Sequence, residues 1–197
     1  MLKRILFVLS VLVVGIGAGG GSAMLMISSG AMIGRVDNDR WFTSRTIGAT
    51  DADPYTRALV ARIGLLGLNR NETIYYTRTE DDSGQPFSDA CIYRIEGGPL
   101  ATRWWSVTLY APDNFLAVNG DERHSIDATS VAPDADGRWS ARIAAQQDGA
   151  ENWISSRNGG AFSLSIRLYN PEPAIGDHLG TVALPHIVRE SCVEGAE

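Results

Sequence analysis

Three neighbouring residues have the side-chain types that hydrolytic enzymes use. His124, Ser125 and Asp127 contain a base, a hydroxyl and a carboxylate, the set found in hydrolytic triads. Residues this close in sequence seldom reach triad geometry, and no nucleophile-elbow pattern surrounds Ser125. The sequence therefore favours a solvated loop here, and we expect no catalytic residue.

Metal-binding side chains are too scattered to predict a metal site. The histidines, His124, His178 and His186, do not form the HExxH spacing or a similar pair. Asp134 and Asp136 resemble the opening of a calcium loop, but the closing glutamate is missing at the required distance. A hairpin turn explains them better, and we expect no metal and no cofactor.

One aromatic strand supplies the best candidate for a binding surface. Trp104 and Trp105 are consecutive in a predicted strand, so they point to opposite faces and at most one belongs to the core. The other could stack on a sugar ring or a peptide, with Arg103 and Tyr110 nearby. The alternative is a tryptophan that only covers the end of a sandwich. The candidate binding residues are Arg103, Trp104, Trp105 and Tyr110.

The two cysteines are expected to pair. Cys91 opens a predicted strand and Cys192 lies near the C-terminus, and each has only the other as an intramolecular partner. The bond would close a loop of about a hundred residues and, in the chain-entropy model, stabilise the fold by up to about 4 to 5 kcal/mol. Two buried free thiols are the alternative. A structural zinc site normally takes four ligands, so two cysteines alone do not complete one.

The N-terminal segment has the composition of a membrane span. No charged residue lies between Arg4 and Arg35, and the first half of the stretch 5–34 is densely apolar. A bilayer takes roughly 20 mainly apolar residues to cross, and the basic residues ahead of this stretch keep the N-terminus in the cytoplasm. The alternative is a signal peptide cut after Ala23, although apolar residues resume at once from Met24.

One helix and a series of short strands follow this segment. Asp53 as N-cap, Pro54 in the first turn and apolar residues at helical spacing predict a helix over 54–66, which Gly67 would end. Alternating patterns then predict strands at 73–79, 91–96, 104–110, 138–144 and 162–169. In the last strand, Phe162, Leu164, Ile166 and Leu168 are expected to face the core.

Length and composition indicate one folded domain. The chain has 197 residues, of which 44% are hydrophobic, and its net charge of -6 opposes the capture of nucleic acid. We expect a transmembrane signal anchor at 1–34, a juxtamembrane connector at 35–52 and a domain at 53–197. For the connector, a first strand or a docked core segment is the alternative. The predicted fold is mainly β, an antiparallel β-sandwich with one short N-terminal helix.

Two stretches carry a resemblance to a known family. They are Arg103 to Tyr110 with Asp113 to Leu116, and Asn152-Trp153 with residues 160–164 and 167–169. From about Asp53 onward the sequence resembles the bacterial family known only as domain of unknown function 1214. This resemblance implies a jelly-roll-like sandwich and no established catalytic residue. Many members carry domain of unknown function 1254 ahead of it, which is missing from this sequence.

These patterns predict a domain attached to the inner (cytoplasmic) membrane through residues 5–34, with a single pass and the C-terminal domain in the periplasm. We expect it to bind or organise another envelope component, either a protein or a glycan. The alternatives are an envelope hydrolase or transferase whose site is assembled by the fold, and a carbohydrate-binding module.

Overall fold

Three α-helices, one 3₁₀ turn and ten strands form within residues 1–28, 33–65 and 67–193, the ranges that this computed structural model describes. The helices are α1 (Leu2–Ser28), α2 (Pro54–Arg62) and α3 (Pro173–Asp177), and the 3₁₀ turn is Leu179–Thr181. The strands are β1 (Arg35–Asn38), β2 (Trp41–Ser44), β3 (Thr73–Arg78), β4 (Cys91–Gly97), β5 (Thr102–Tyr110), β6 (Ser125–Asp127), β7 (Trp139–Ala144), β8 (Trp153–Ser155), β9 (Ser163–Pro171) and β10 (His186–Cys192).

The described strands form two sheets, which confirms the predicted fold class. A six-stranded sheet has the order β1-β2-β3-β9-β5-β6, and a four-stranded sheet has the order β10-β4-β7-β8. The chain passes from one sheet to the other after β3, β4, β6, β8 and β9, as expected for a jelly-roll-like sandwich. One pair departs from the prediction of an antiparallel fold, because β7 and β8 run parallel.

Side chains of both sheets meet in one core. The predicted core face at 162–169 is buried, with exposures of 1% or less at Phe162, which directly precedes β9, and at Leu164, Ile166 and Leu168. Trp105 of the larger sheet stacks on Trp139 of the smaller one, with ring centroids 4.4 Å apart. Phe87 stacks on Phe162 at 5.0 Å and meets Tyr93 edge-on. The two sheets are therefore layers of one sandwich.

Helix α2 is shorter than the sequence predicts. Asp53 caps its N-terminus by accepting hydrogen bonds from two backbone N–H groups, as expected. The helix ends at Arg62 because Gly64 follows with a positive φ of 68°, a conformation that glycine adopts without strain. The prediction that Gly67 ends the helix was wrong, and Leu66 lies outside the described residues.

Residues 35–44, which belong to the predicted connector, form β1 and β2 at the edge of the six-stranded sheet. Trp41 is only 1% exposed, and its Nε1 donates a hydrogen bond to the carbonyl oxygen of Pro185 at 2.8 Å. Trp41 is therefore packed into the folded domain. This segment thus matches the alternative to a connector, a first strand docked on the domain.

Cys91 and Cys192 form the predicted disulfide. They are directly opposite each other on β4 and β10, with their Cα atoms 3.9 Å apart. The bond fixes the last strand of the described chain to the centre of the smaller sheet.

Helix α1 is long and apolar enough to cross a membrane, judged by length and composition, and no other described helix is. It has 27 residues, a mean hydropathy of 2.1 over its apolar window and no buried residue. Its C-terminal end meets α2, where Arg62 Nη1 donates a hydrogen bond to the carbonyl oxygen of Ile27 at 2.6 Å. Residues 29–32 of the predicted span 5–34 lie outside the described residues.

Candidate functional site

The outer face of the six-stranded sheet carries a set of aromatic and polar side chains. Strand register places Arg167 of β9 between Tyr75 of β3 and Ser106 of β5, and places Trp104 opposite Tyr169. Because side chains alternate across a strand, all of these project away from the core. Three strands that are distant in sequence thus contribute to one surface.

A groove of about 420 Å³ lies on this face, beneath the chain that follows α2. Its floor consists of hydroxyl-bearing and aromatic residues of the sheet and one arginine, Arg167. Ile63, Leu65 and Leu68 form an apolar roof. The backbone N–H of Leu68 donates to the Tyr75 hydroxyl at 3.1 Å, which ties the roof to the floor. A volume of this size suits a small-molecule ligand.

Among the described residues that line the groove, Arg167 is the one with a positive charge. Its Nη1 donates to Thr108 Oγ1 at 3.0 Å, and its Nη2 donates to the hydroxyl of Tyr110. The guanidinium carbon lies 5.4 Å from the ring centroid of Tyr110 and 5.9 Å from that of Tyr75. None of the described carboxylates lies within 4.0 Å of it. A half-buried cation without a counter-ion favours an anionic ligand.

Two of the four predicted binding residues contribute to this surface. Tyr110 lines the groove directly. Trp104 lies beside it, with its ring 5.1 Å from that of Tyr169 and its Nε1 donating to Thr129 Oγ1 at 2.9 Å. The prediction that the two tryptophans face opposite sides agrees with this placement.

The other two predicted binding residues lie elsewhere. Trp105 is 7% exposed and stacks on Trp139 in the core, so its ring is not available to a ligand. The prediction of Trp105 as a binding residue is corrected accordingly, because this side chain packs the core. Arg103 is exposed beyond the lining of the groove.

Sequence reasoning missed Tyr75, Arg167 and Tyr169 as site residues. A signal was present, because the alternation of β9 assigns Arg167 and Tyr169 to the face away from the core. An arginine at the centre of such a strand, with no nearby acidic residue in sequence, could have directed attention to this face.

The residues considered for hydrolysis do not assemble a triad. The His124 side chain makes no hydrogen bond with Ser125 or Asp127, and its Nδ1 is buried without a partner. Asp127 Oδ1 instead accepts hydrogen bonds from the backbone N–H groups of Thr129 and Ser130 at 2.7 and 3.0 Å. The carboxylate therefore holds a turn.

A tight turn is present at Asp134, but it is not the predicted hairpin, because the strands before and after it, β6 and β7, belong to different sheets. Asp134 Oδ1 accepts from the backbone N–H groups of Asp136 and Arg138, both at 2.9 Å. Within the described ranges, no group of three or more histidine, cysteine, aspartate or glutamate side chains could hold a metal ion.

A second, wider concavity of about 880 Å³ lies on the outer face of the four-stranded sheet. Two of the three arginines among the described residues that line it have acidic partners: Arg94 Nε lies 3.1 Å from Glu190 Oε1, and Arg142 Nη2 lies 3.8 Å from Asp148 Oδ2. The third, Arg138, is exposed and has no described acidic partner within 4.0 Å, but four acidic residues also line this concavity, so its charge is mixed in sign. The groove differs, because no acidic residue is among the described residues that line it.

These features define a two-sheet β-sandwich domain with a groove on its outer face, preceded by an apolar helix. The chain belongs to the family described as "Protein of unknown function (DUF1214)", whose model matches residues 72–173, more than half of the chain. The floor residues Tyr75, Tyr110 and Arg167 lie within this match, whereas the roof lies before it.

Two solved structures resemble the chain. The VPA0106 protein from Vibrio parahaemolyticus is 26% identical, with a TM-score of 0.58, over 72% of this chain and 36% of its own. A putative uncharacterized protein from Burkholderia cenocepacia is 16% identical, with a TM-score of 0.47, over 68% of this chain and 33% of its own. The chain thus spans about a third of the length of either structure. The comparison with curated proteins gives no match.

Proposed function

We propose that this protein is a membrane-anchored envelope domain that binds another envelope component in the groove on its six-stranded sheet. The observation that carries the proposal is Arg167, a half-buried cation without an acidic partner among the described residues, in a groove of about 420 Å³. Aromatic side chains and arginine are the types enriched at binding hot spots, and they occur together here.

The proposed location is the inner membrane, with a single pass and the domain in the periplasm. The apolar helix α1 supports attachment, and the Cys91–Cys192 disulfide supports an oxidising compartment. We propose residues 1–34 as the anchor and the chain from Arg35 onward as the folded unit, because β1 and β2 pair into the sheet. An anchored domain meets membrane-bound partners at a raised effective concentration, so a weak contact suffices.

A binding role suits this groove better than the two alternatives. No histidine or carboxylate is among the described residues that line it, so it lacks the usual general base of a hydrolase or transferase. A carbohydrate-binding role would depend on Trp104, whose ring is already in contact with Tyr169.

Photo-crosslinking in cells tests the proposal. A photoreactive amino acid replaces Leu68 at the rim of the groove, and a matched variant carries it at Val188 on the four-stranded sheet. The two aliphatic side chains are similarly exposed, at 41% and 38%. We expect an adduct from position 68 and none from position 188, and we expect Arg167→Gln to abolish the adduct.

Three outcomes contradict the proposal. Equal adducts from both positions, or an adduct that Arg167→Gln leaves unchanged, would mean that the groove is not the contact surface. Cleavage of an envelope substrate by the purified protein, stopped by alanine at His124 or Asp127 without loss of stability, would establish the enzyme alternative.

A further inference from the structure

The groove is amphipathic across its width. Apolar side chains of Ile63, Leu65 and Leu68 form the roof, while Arg167 and the hydroxyl-bearing residues lie on the floor. A ligand that fills it therefore needs an apolar body along one side and an anionic group on the other. A purely polar ligand would leave the roof exposed to water, which is unfavourable.

Two neighbouring side chains of the floor, Arg167 and Tyr110, retain N–H and O–H donors for a ligand. A guanidinium has five N–H donors, and Arg167 makes two hydrogen bonds within the described chain, to Thr108 and Tyr110. Because the Tyr110 hydroxyl accepts one of these bonds, its own proton remains available to a ligand. A carboxylate has two oxygens and is the anion that an arginine binds in bidentate geometry.

The roof begins where the domain meets the proposed membrane anchor. Arg62 donates to the carbonyl oxygen of Ile27 near the end of α1, and Ile63 is the next residue. Leu68, at the other end of the roof, is 41% exposed. An amphiphile that leaves the bilayer beside α1 would meet the apolar roof first.

We infer that the groove binds a single-chain carboxylate amphiphile, a long-chain fatty acid from the adjoining membrane. Its carboxylate contacts Arg167 and Tyr110, and its alkyl chain lies against Ile63, Leu65 and Leu68. A volume of about 420 Å³ is near the lower end for ligand pockets and favours one chain over the two chains of a phospholipid. This inference rests on the proposed function, whose groove it assigns to a ligand class.

The test uses the full-length protein in phosphatidylcholine nanodiscs with a photoactivatable palmitic acid. Irradiation should attach the probe to peptides that contain residues 63–68 or the groove-facing part of β9. Unlabelled palmitate should compete, whereas hexadecanol, which has the same chain without the carboxylate, should compete about tenfold less or worse. This comparison uses the unaltered protein and needs no folded variant.

Two variants then test whether the carboxylate of the probe contacts Arg167 and Tyr110. Arg167→Gln should lower groove labelling about tenfold, because a charge-assisted hydrogen bond is lost, and Tyr110→Phe should lower it less. Arg138 is an exposed arginine directly before β7 of the four-stranded sheet. Arg138→Gln is therefore the matched control and should have no effect on groove labelling.

Several outcomes would overturn the inference. Equal competition by palmitate and hexadecanol, or adducts confined to α1, would mean that only the lipid phase was labelled. If an Arg167-dependent adduct forms at position 68 in cells while palmitate does not bind, the ligand class is wrong and the proposed function stands. If neither experiment shows occupancy of the groove, both proposals fail.

Discussion

At the residue scale, Arg78 is the least expected member of the core. It occupies the third core-facing position of β3 after Ile74 and Tyr76, and its side chain is fully buried. Its guanidinium pairs with Asp82 at 2.5 Å and donates to the carbonyl oxygen of Glu80 at 2.7 Å. The pair therefore holds a charge inside the sandwich and fixes the loop that follows β3.

The neighbouring carboxylate, Asp81, extends this network to β10. Burial by itself raises the pKa of Asp81, but hydrogen bonds from Ser83 and the backbone of Gln85, together with the charge of Arg189, leave that pKa below its ordinary value. Arg189 Nε lies 2.7 Å from Asp81 Oδ2, an ion pair by distance although its N–H is not aligned for a hydrogen bond. The carboxylate thus remains charged and attracts β10 to the loop.

We expect the two halves of the Arg78–Asp82 pair to differ in their effect on stability. Asp82→Asn should lower the free energy of unfolding by about 3 kcal/mol, because it leaves a buried cation without its counter-ion. Arg78→Met should cost less, since Asp82 is 32% exposed and can be rehydrated. Urea denaturation of both variants measures the difference, and the double variant should resemble Arg78→Met. Equal losses from the two single variants would contradict this account of the pair.

At the element scale, the contact between the sheets depends on a glycine in β4. Gly97 is directly opposite Trp139 on β7, and the indole ring lies over it. A Cβ atom at Gly97 would lie 2.4 Å from Trp139 Cζ2, far inside van der Waals contact. Trp139 in turn stacks on Trp105 of the other sheet, so it cannot move freely.

Gly97→Ala should therefore destabilise the sandwich by about 1 to 3 kcal/mol through overpacking. The adjacent residue supplies a matched control, because a Cβ atom at Gly98 would have no atom within 4 Å. Gly98→Ala should change the free energy of unfolding by about 0.5 kcal/mol or less. Thermal unfolding followed by near-ultraviolet circular dichroism reports both stability and the stacked tryptophans. Similar unfolding midpoints for the two variants would show that the Trp139 ring shifts easily to accommodate the added methyl group.

At the scale of the whole molecule, the disulfide and the apolar helix both concern the side of the membrane on which the domain lies. The bond joins residues 101 positions apart, and closing such a loop stabilises the fold by about 4 to 5 kcal/mol in the chain-entropy model. Structural disulfides form and persist mainly in oxidising compartments, which is where the proposed orientation of α1 places the domain.

We expect a C-terminal fusion to a reporter that is active only in the periplasm to be active and to fractionate with membranes. Alkylation of intact protein should label neither cysteine until a reductant is added. Deletion of residues 1–34 should keep the chain in the cytoplasm, where both thiols become reactive. A soluble periplasmic product that begins near Met24 would instead show that the N-terminal segment is a cleaved signal peptide.

The sequence by itself determined the features that depend on local pattern. Alternation over 162–169 predicted four core residues, the spacing from Asp53 predicted the start of α2, and the apolar stretch predicted a helix long enough to cross a membrane. The only two cysteines left a single possible disulfide within the chain. These predictions succeed because period, caps and composition are properties of neighbouring residues.

Only the tertiary structure decided the remaining elements and the groove. Strands β1, β2, β6 and β8 have three or four residues each, too few for a periodic signal, and β10 buries only Ile187. Tyr75, Tyr110 and Arg167 come from three strands, and the register of β3, β9 and β5 brings them to one surface. Because that register results from pairing between distant segments, no local pattern in the sequence contains it.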